Sequence, residues 1–334
     1  MFDNAPAWAH KKADFAIDLG TANTLVVERS VGVVFEQPSV CCFDDDIRAA
    51  RPLFAAGAEA KRVVGREVKQ LRTVRPLRNG VLVDVAATRE LLGFAMKPVS
   101  ARRRLSRLRA IIGVPSDATQ AERRALTRAA FDAGLAEPLL VAEPILAAIG
   151  LGMDVAAARG RMIVDCGAGT TDVVVISLGG ICASRSVRGG GDGVETALMQ
   201  HLHLKRQFHV GQSSAEVLKM ALSEALASGT STHVEVRGLD IRSGLPRLLA
   251  LKVEDMRPIV EKYADEVASA VRATFAQTDP DLATDILEDG IMLTGGAALT
   301  ALVAERVEES TGLRVHRAEE PTKAVAKGLE AMLD

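Results

Sequence analysis

The chain has 334 residues, enough for one large domain or two ordinary ones. Hydrophobic residues make up 48% and charged residues 25%, a balance that excludes a disordered or collagen-like polymer. Lys+Arg 41 against Asp+Glu 43 leaves a net charge of -2, and aromatics are only 3%, so neither a global basic field nor base-stacking platforms for nucleic acid exist.

The N-terminus, MFDNAPAWAHKK, has Phe2 and Trp8 but a weak amphipathic pattern, and Lys11, Lys12 and Asp14 interrupt any signal-peptide stretch. No apolar run reaches the roughly 20 residues a membrane-spanning helix needs. Residues 16–32 then read as an apolar strand ending in Asp18, a turn with Gly20, Thr21, Ala22 and Asn23, and a Val-rich strand. Cys41 and Cys42 are adjacent and would face opposite sides of a strand, which disfavours a metal site. With only Cys166 and Cys182 besides, the thiols point to a reducing, cytoplasmic setting.

A dense basic run, Arg102 to Arg109, precedes a buried strand at 108–114 and suits either a solvated face or acidic lipid headgroups. A helix is expected at 119–134 with Gly134 as its stop, and Thr119-x-x-Glu122 at its start is a capping box. A strand at 138–142 leads into a helix at 144–151 opened by Pro144. Residues 163–179 then repeat the first unit. At an offset of 147, Asp165 matches Asp18, Gly167 matches Gly20, and Thr171, Val173, Val174 and Gly179 match Thr24, Val26, Val27 and Gly32. This second turn carries Gly167, Ala168, Gly169, Thr170 and Thr171.

Such turns bring amides and hydroxyls together without bulky side chains, which makes a phosphate cradle. An Asp at the strand end makes sense beside a magnesium ion, held through water. Two facing copies would grip one polyphosphate.

Further on, Gly189–Gly193 precede a helix at 194–204, where Asp192 is an N-cap or a ribose partner. Three nearby histidines, His201, His203 and His209, have poor metal spacing. Ser213-x-x-Glu216 has a capping pattern before a helix at 214–227, and 232–252 reads as a hairpin broken at Ser243-Gly244. A long helix at 254–278 follows, then a strand at 290–293 and helices at 297–309 and 322–333. Gly295 and Gly296, between strand and helix, would let a flat ring or sugar approach. The alternation argues α/β architecture.

DLGTANT, EQPSV, IIGVPSDATQAERRAL, VAEPILAAIGLG, VDCGAGTTDVVVISLGG, GLDIRSGLPRLLALK, DGIMLTGGAAL and EEPTKAVAKG together resemble the bacterial actin MreB family, colinearly from about residue 14 to 333. The resemblance implies a two-lobed actin-like ATPase fold of duplicated ribonuclease-H-like cores, each with a small inserted subdomain. Lobe I would take 1–145 (insert about 33–75) and 316–334. Lobe II would take 146–315 (insert about 192–253), with hinge helices at 141–152 and 319–328.

It implies ATP or ADP with magnesium, Asp18 and Asp165 flanking the metal, and Glu122 as the water-activating acid. Gly191 and Asp192, Glu216 and Lys219, and Gly295, Gly296 and Ala297 would surround the nucleoside. Self-assembly into head-to-tail filaments supporting cell shape and wall assembly would follow, with slow hydrolysis. Partners would be the membrane surface, through Arg102–Arg109 and the N-terminus, and cell-wall-synthesis membrane proteins, but no nucleic acid. Departures are Ala168 and Ala297 where glycine is usual, Cys166 for an aliphatic, lost acidic positions in 189–197, and arginines in place of an apolar membrane loop. They leave a nucleotide-binding paralogue that caps or co-polymerises with another filament as the alternative, with a sugar-kinase-type phosphotransferase behind it.

Overall fold

The structure is a computed structural model and describes residues 13–45, 52–100, 109–136 and 138–334. Phe2, Trp8 and Arg102, Arg103, Arg104 and Arg107 lie outside the described residues.

Two five-stranded sheets share one topology. In the first, Phe15–Leu19 is central. It pairs antiparallel with Asn23–Glu28, which pairs with Gly32–Pro38; on its other side Ala110–Val114 and then Leu139–Ala142 run parallel. The second repeats this order: Arg161–Cys166 is central, Thr170–Ser177 and Gly180–Arg188 lie on one side, and Ile291–Thr294 and Val315–Arg317 on the other. The central strands are apolar apart from Asp18 in the first and Arg161 and Asp165 in the second, because both faces are covered.

Each sheet has its own outer core. In lobe I, Leu91, Leu92 and Met96 from helix Val85–Ala95 and its C-cap pack with Phe15 and Ile112. In lobe II, Leu198, Leu218 and Val267 pack with Val164 and Val173. A third core joins the sheets: Ala16, Leu25 and Ile111 from the first and Ile163, Val174 and Ile176 from the second enclose helices Glu143–Gly150 and Ala324–Ala331. Those helices cross backbone to backbone. A Cβ on Gly150 would overlap the Ala324 carbonyl and one on Gly328 the Leu146 carbonyl, so only glycine permits the approach.

The inserts are small antiparallel sheets. In lobe I, Leu53–Ala56, Cys41–Asp44 and Leu71–Val74 pair, with helix Ala58–Val63 against them. Gly32–Pro38 belongs to the core sheet, so this insert begins later than expected. In lobe II, Phe208–His209, His233–Asp240 and Pro246–Lys252 pair, and Val315–Arg317 remains in the second core sheet.

Some elements depart from expectation. The glycines before 194 enter the helix, which spans Gly190–Arg206 from N-cap Gly189; Asp192 therefore lies inside the first turn and is not the cap. Residues 297–309 divide into a 3-10 turn at Gly296–Leu299 and a helix at Val303–Thr311, separated by Leu302 at φ 72. An unexpected helix, Pro280–Asp289, is capped by the Asp279 side chain. Cys41 and Cys42 do face opposite sides, in separate cores.

Candidate functional site: the cleft between the duplicated turns

The two turns have the same local bond. Gly20 N–H donates to the Asn23 carbonyl (3.0 Å) and Gly167 N–H to the Thr170 carbonyl (2.7 Å), positions again 147 apart. Each turn therefore exits its central strand just beyond an aspartate, at Asp18 and at Asp165. The turns face each other across a cavity of about 280 Å³. Asp18, Gly20, Thr21, Ala22, Asn23, Asp165, Gly167, Ala168, Gly169, Thr170, Gly295 and Gly296 all line it.

Glycine is needed where backbones converge. A Cβ on Gly169 would overlap Thr21 Oγ1 and crowd the Gly80 amide at 2.6 Å. Gly295, at φ 85, sits against Asp165, whose Oδ1 would be 2.5 Å from an added Cβ. Ala168 fits without collision, and its carbonyl accepts from the Asp192 amide (2.9 Å). The Thr171 hydroxyl is turned away; it bonds Tyr263 (2.7 Å) in the core and offers nothing to the cavity.

Two further acids that sequence reasoning did not nominate line the cavity, the exposed Glu36 and Glu143, whose carboxyl is buried. Glu143, at the start of the helix Glu143–Gly150, lines it with Asp18 and Asp165. Burial pushes Asp18 up to about 6. Burial, then Asp172 and Asp18, push Asp165 up to about 7. Glu143 is raised well above the ordinary carboxyl range by burial first, then by Asp18, Asp165 and Asp172. Three acids thus surround one cavity, their ionised forms disfavoured by burial and, for Asp165 and Glu143, also by neighbouring acids. No group of three or more His, Cys, Asp or Glu among the described residues can hold a metal ion. The donors thus suit a hydrated divalent ion shared with phosphate oxygens, and the amide-rich turns suit the phosphates.

The other nominated residues are divided. Gly191, Lys219 and Ala297 lie together behind the second turn: Gly191 N–H donates to the Gly167 carbonyl (3.2 Å), and a Cβ on Gly191 would be 3.0 Å from Lys219 Nζ and 3.7 Å from Ala297. Lys219 also pairs with Glu195 (2.6 Å). Burial raises the Asp192 carboxyl. Glu216 stands near enough to Asp192 to help raise its carboxyl; it does not cap its helix, whose N-cap is Gly211, and it pairs with Lys61 of the other lobe (3.1 Å).

Glu122 is absent from the cavity lining. Its carboxylate accepts from the Thr119 amide and hydroxyl, both at 2.7 Å, and these bonds lower its pKa. It is the capping-box acid, a role its sequence pattern could not separate from catalysis.

Behind the cavity a polar seam joins the lobes. Asp172 is 2% exposed and accepts from the Ser116 amide and from the Ser116 and Ser186 hydroxyls. Arg188 bonds the Asn79 carbonyl (2.8 Å) and Asp117 (2.6 Å).

Comparison with known proteins gives a consistent result. The family model described as MreB/Mbl protein matches residues 12–334. The cell shape-determining protein MreB of Escherichia coli K12 is 38% identical over 318 residues, 94% of this chain and 91% of that protein. The cell shape-determining protein Mbl of Bacillus subtilis is 32% identical over 321 residues, 96% of each. The crystal structure of MreB5 of Spiroplasma citri bound to AMPPNP superimposes with a TM-score of 0.88 at 28% identity, covering 96% of each chain. The MamK double helical filament, at 24% identity and a TM-score of 0.76 over 95% of this chain and 97% of that one, shares the two-lobed actin-like fold.

Proposed function

The chain belongs to the MreB/Mbl family, and from that premise we propose that it is a nucleotide-dependent, actin-like filament protein that supports bacterial cell shape and wall assembly. The observation that carries the nucleotide part is the cleft, where two copies of one strand–turn–strand unit face each other with Asp18 and Asp165 at their strand ends. The names of the Escherichia coli and Bacillus subtilis relatives, and the nucleotides bound to the Spiroplasma citri protein, support the reading.

ATP would lie with its phosphates between the turns. Amides of Gly20–Asn23 and Gly167–Thr170 would donate to phosphate oxygens, and the small side chains of Ala22 and Ala168 leave room for close approach. Asp18 and Asp165 would hold magnesium through its water shell; that ion, when bound, offsets phosphate charge. Gly295, Gly296 and Ala297, with Gly191, Asp192 and Lys219, would approach the nucleoside. Glu143 takes the role first assigned to Glu122: from inside the cavity its carboxylate would orient the attacking water and accept its proton.

Self-association would be head to tail, which gives open filaments when the rotation does not close. Nucleotide state would bias lobe closure and hence filament stability. The chain would work in the cytoplasm at the inner face of the membrane. No helix among the described residues is long and apolar enough to cross a membrane. The Arg102–Arg109 run and the N-terminus would instead meet acidic headgroups and bring the filament to wall-synthesis membrane proteins.

Pelleting and electron microscopy with ATP, ADP and no nucleotide test the assembly. Nucleotide-dependent filaments are expected, and a folded protein that forms none under any condition contradicts the proposal. In the same preparation Glu143→Gln should cut hydrolysis about 100-fold with binding retained, and Glu122→Gln should change it less than about 3-fold. The reverse ranking would return the catalytic role to Glu122. Hydrolysis insensitive to both would favour a co-polymerising paralogue.

A further inference from the structure

The lobes meet differently at the two ends of the cleft. At its floor the contacts are buried or part-buried: the crossed helices and the Asp172–Ser116–Ser186 group. At its mouth one ion pair, among the described residues, ties the lobe I insert to lobe II. Lys61 Nζ lies 3.1 Å from Glu216 Oε2 and 3.4 Å from Oε1, with the side chains 40% and 41% exposed. The pair spans the edge of a cavity of about 450 Å³ between helix Ala58–Val63 and the start of helix Gln212–Ser228.

Both ends of this link are seated. On the lobe I side, Gly57 N–H donates to the Val40 carbonyl (2.9 Å) and Ala58 N–H to Gln37 Oε1 (3.1 Å), fixing the helix that carries Lys61 to the end of the core strand. On the lobe II side, Glu216 lies three residues before Lys219, so both project from neighbouring positions on one helix face. Lys219 Nζ sits 3.5 Å from the Gly191 carbonyl, and Gly191 N–H bonds the Gly167 carbonyl in the second phosphate turn. Lys61 is therefore connected through one helix face to the turn that would hold the nucleotide phosphates.

We infer that the Lys61–Glu216 ion pair is a latch across the cleft mouth that slows opening of the lobes and so sets the rate of nucleotide release. The inference rests on the nucleotide-binding reading for its release step, but not for the latch itself. Opening about a buried floor separates the mouth most, so a link there has the longest lever on the motion. The pair is half exposed, so its effect is modest and screened by salt.

The test follows release of a fluorescent ADP analogue from the full chain in stopped flow, at about 50 mM and about 500 mM salt. Lys61→Ala should speed release about 3- to 5-fold at low salt, and Lys61→Glu more, because it places like charges together. Lys61→Arg should release at the parent rate. High salt should bring the parent close to Lys61→Ala and leave that variant little changed. Release from Lys61→Ala and Lys61→Glu within about 1.5-fold of the parent would overturn the release role.

Hydrogen exchange of the ligand-free proteins separates the latch from the nucleotide reading. Amides of 58–63 and 212–219 should exchange faster in Lys61→Ala, with melting temperature unchanged. Unchanged protection there overturns the latch even if nucleotide binds. A parent protein that binds no analogue but loses protection on Lys61→Ala keeps the latch and refutes the nucleotide reading.

Discussion

The first and second turns share a sheet position and a hydrogen bond but not an electrostatic setting. Across from Asp18 on the neighbouring strand stands Leu25; across from Asp165, at the corresponding position, stands Asp172. Lobe I thus presents its carboxyl against an apolar neighbour, and lobe II presents one against a second acid. Asp172 adds to the burial that raises Asp165 to about 7, above the value of about 6 for Asp18. The lesson is that duplication preserved the cradle and gave its two acids different neighbours.

The largest effect that tests this comparison comes from removing the charges. Asp165→Asn and Asp18→Asn should each weaken binding of magnesium nucleotide by about 100-fold in calorimetry, roughly 2.7 kcal/mol. Both should raise the melting temperature of the ligand-free protein at pH 8, because a buried charge is lost, with Asp165→Asn raising it more. Equal or lower melting temperatures would contradict the account of their burial.

Next come the glycines. Gly169→Ala pushes a methyl group into the first turn and the Gly80 amide, so it should weaken binding by about 30-fold. Gly20→Ala crowds the Asn23 carbonyl of its own turn, at 2.9 Å, and touches Asp18 Oδ1 at an ordinary 3.5 Å, so it should cost about 5-fold. A reversed order would mean that the turns do not approach each other as described.

The pH dependence is smaller and has a fixed sign. Both acids have raised folded-state values, near 6 and 7, and the cation needs them ionised. Affinity for magnesium nucleotide should therefore rise about 10-fold from pH 5.5 to 7.5, with protons released on binding. Without ligand the same two groups remove stability as pH rises from about 4, where the unfolded chain ionises, to about 7, where the folded protein does. The smallest effect sharpens the asymmetry: Asp172→Asn should move the upper midpoint of the affinity profile down by about half a pH unit. An unmoved midpoint would remove Asp172 from the explanation.

How much of this was legible depended on where the information lay. The repeated turn was visible because Asp, Gly and Val recur at a fixed offset within one short segment, and both carboxyls follow from it. The helix 120–132 and its Thr119 cap were visible for the same local reason. Glu143 was not, because Glu-Pro at a helix start is also ordinary N-terminal chemistry, and only the packing of two lobes turns it into the cavity. Glu122 could not be assigned from its pattern, because a capping acid and a water-orienting acid look alike in one dimension. Asp172 and Glu216 acquire their partners, Ser116 and Lys61, from the opposite lobe, so no local pattern could announce them. The 3-10 turn at 296–299 broke an expected helix because Leu302 takes a left-handed conformation that its sequence gives no sign of.

The most direct measurement is a crystal structure of this protein grown with AMPPNP and magnesium. The account predicts β- and γ-phosphates between Gly20–Asn23 and Gly167–Thr170, with Asp18 and Asp165 turned toward the metal's water shell and Glu143 beside the γ-phosphate. Nucleotide bound outside that cleft, or phosphates held by one turn alone, would contradict it.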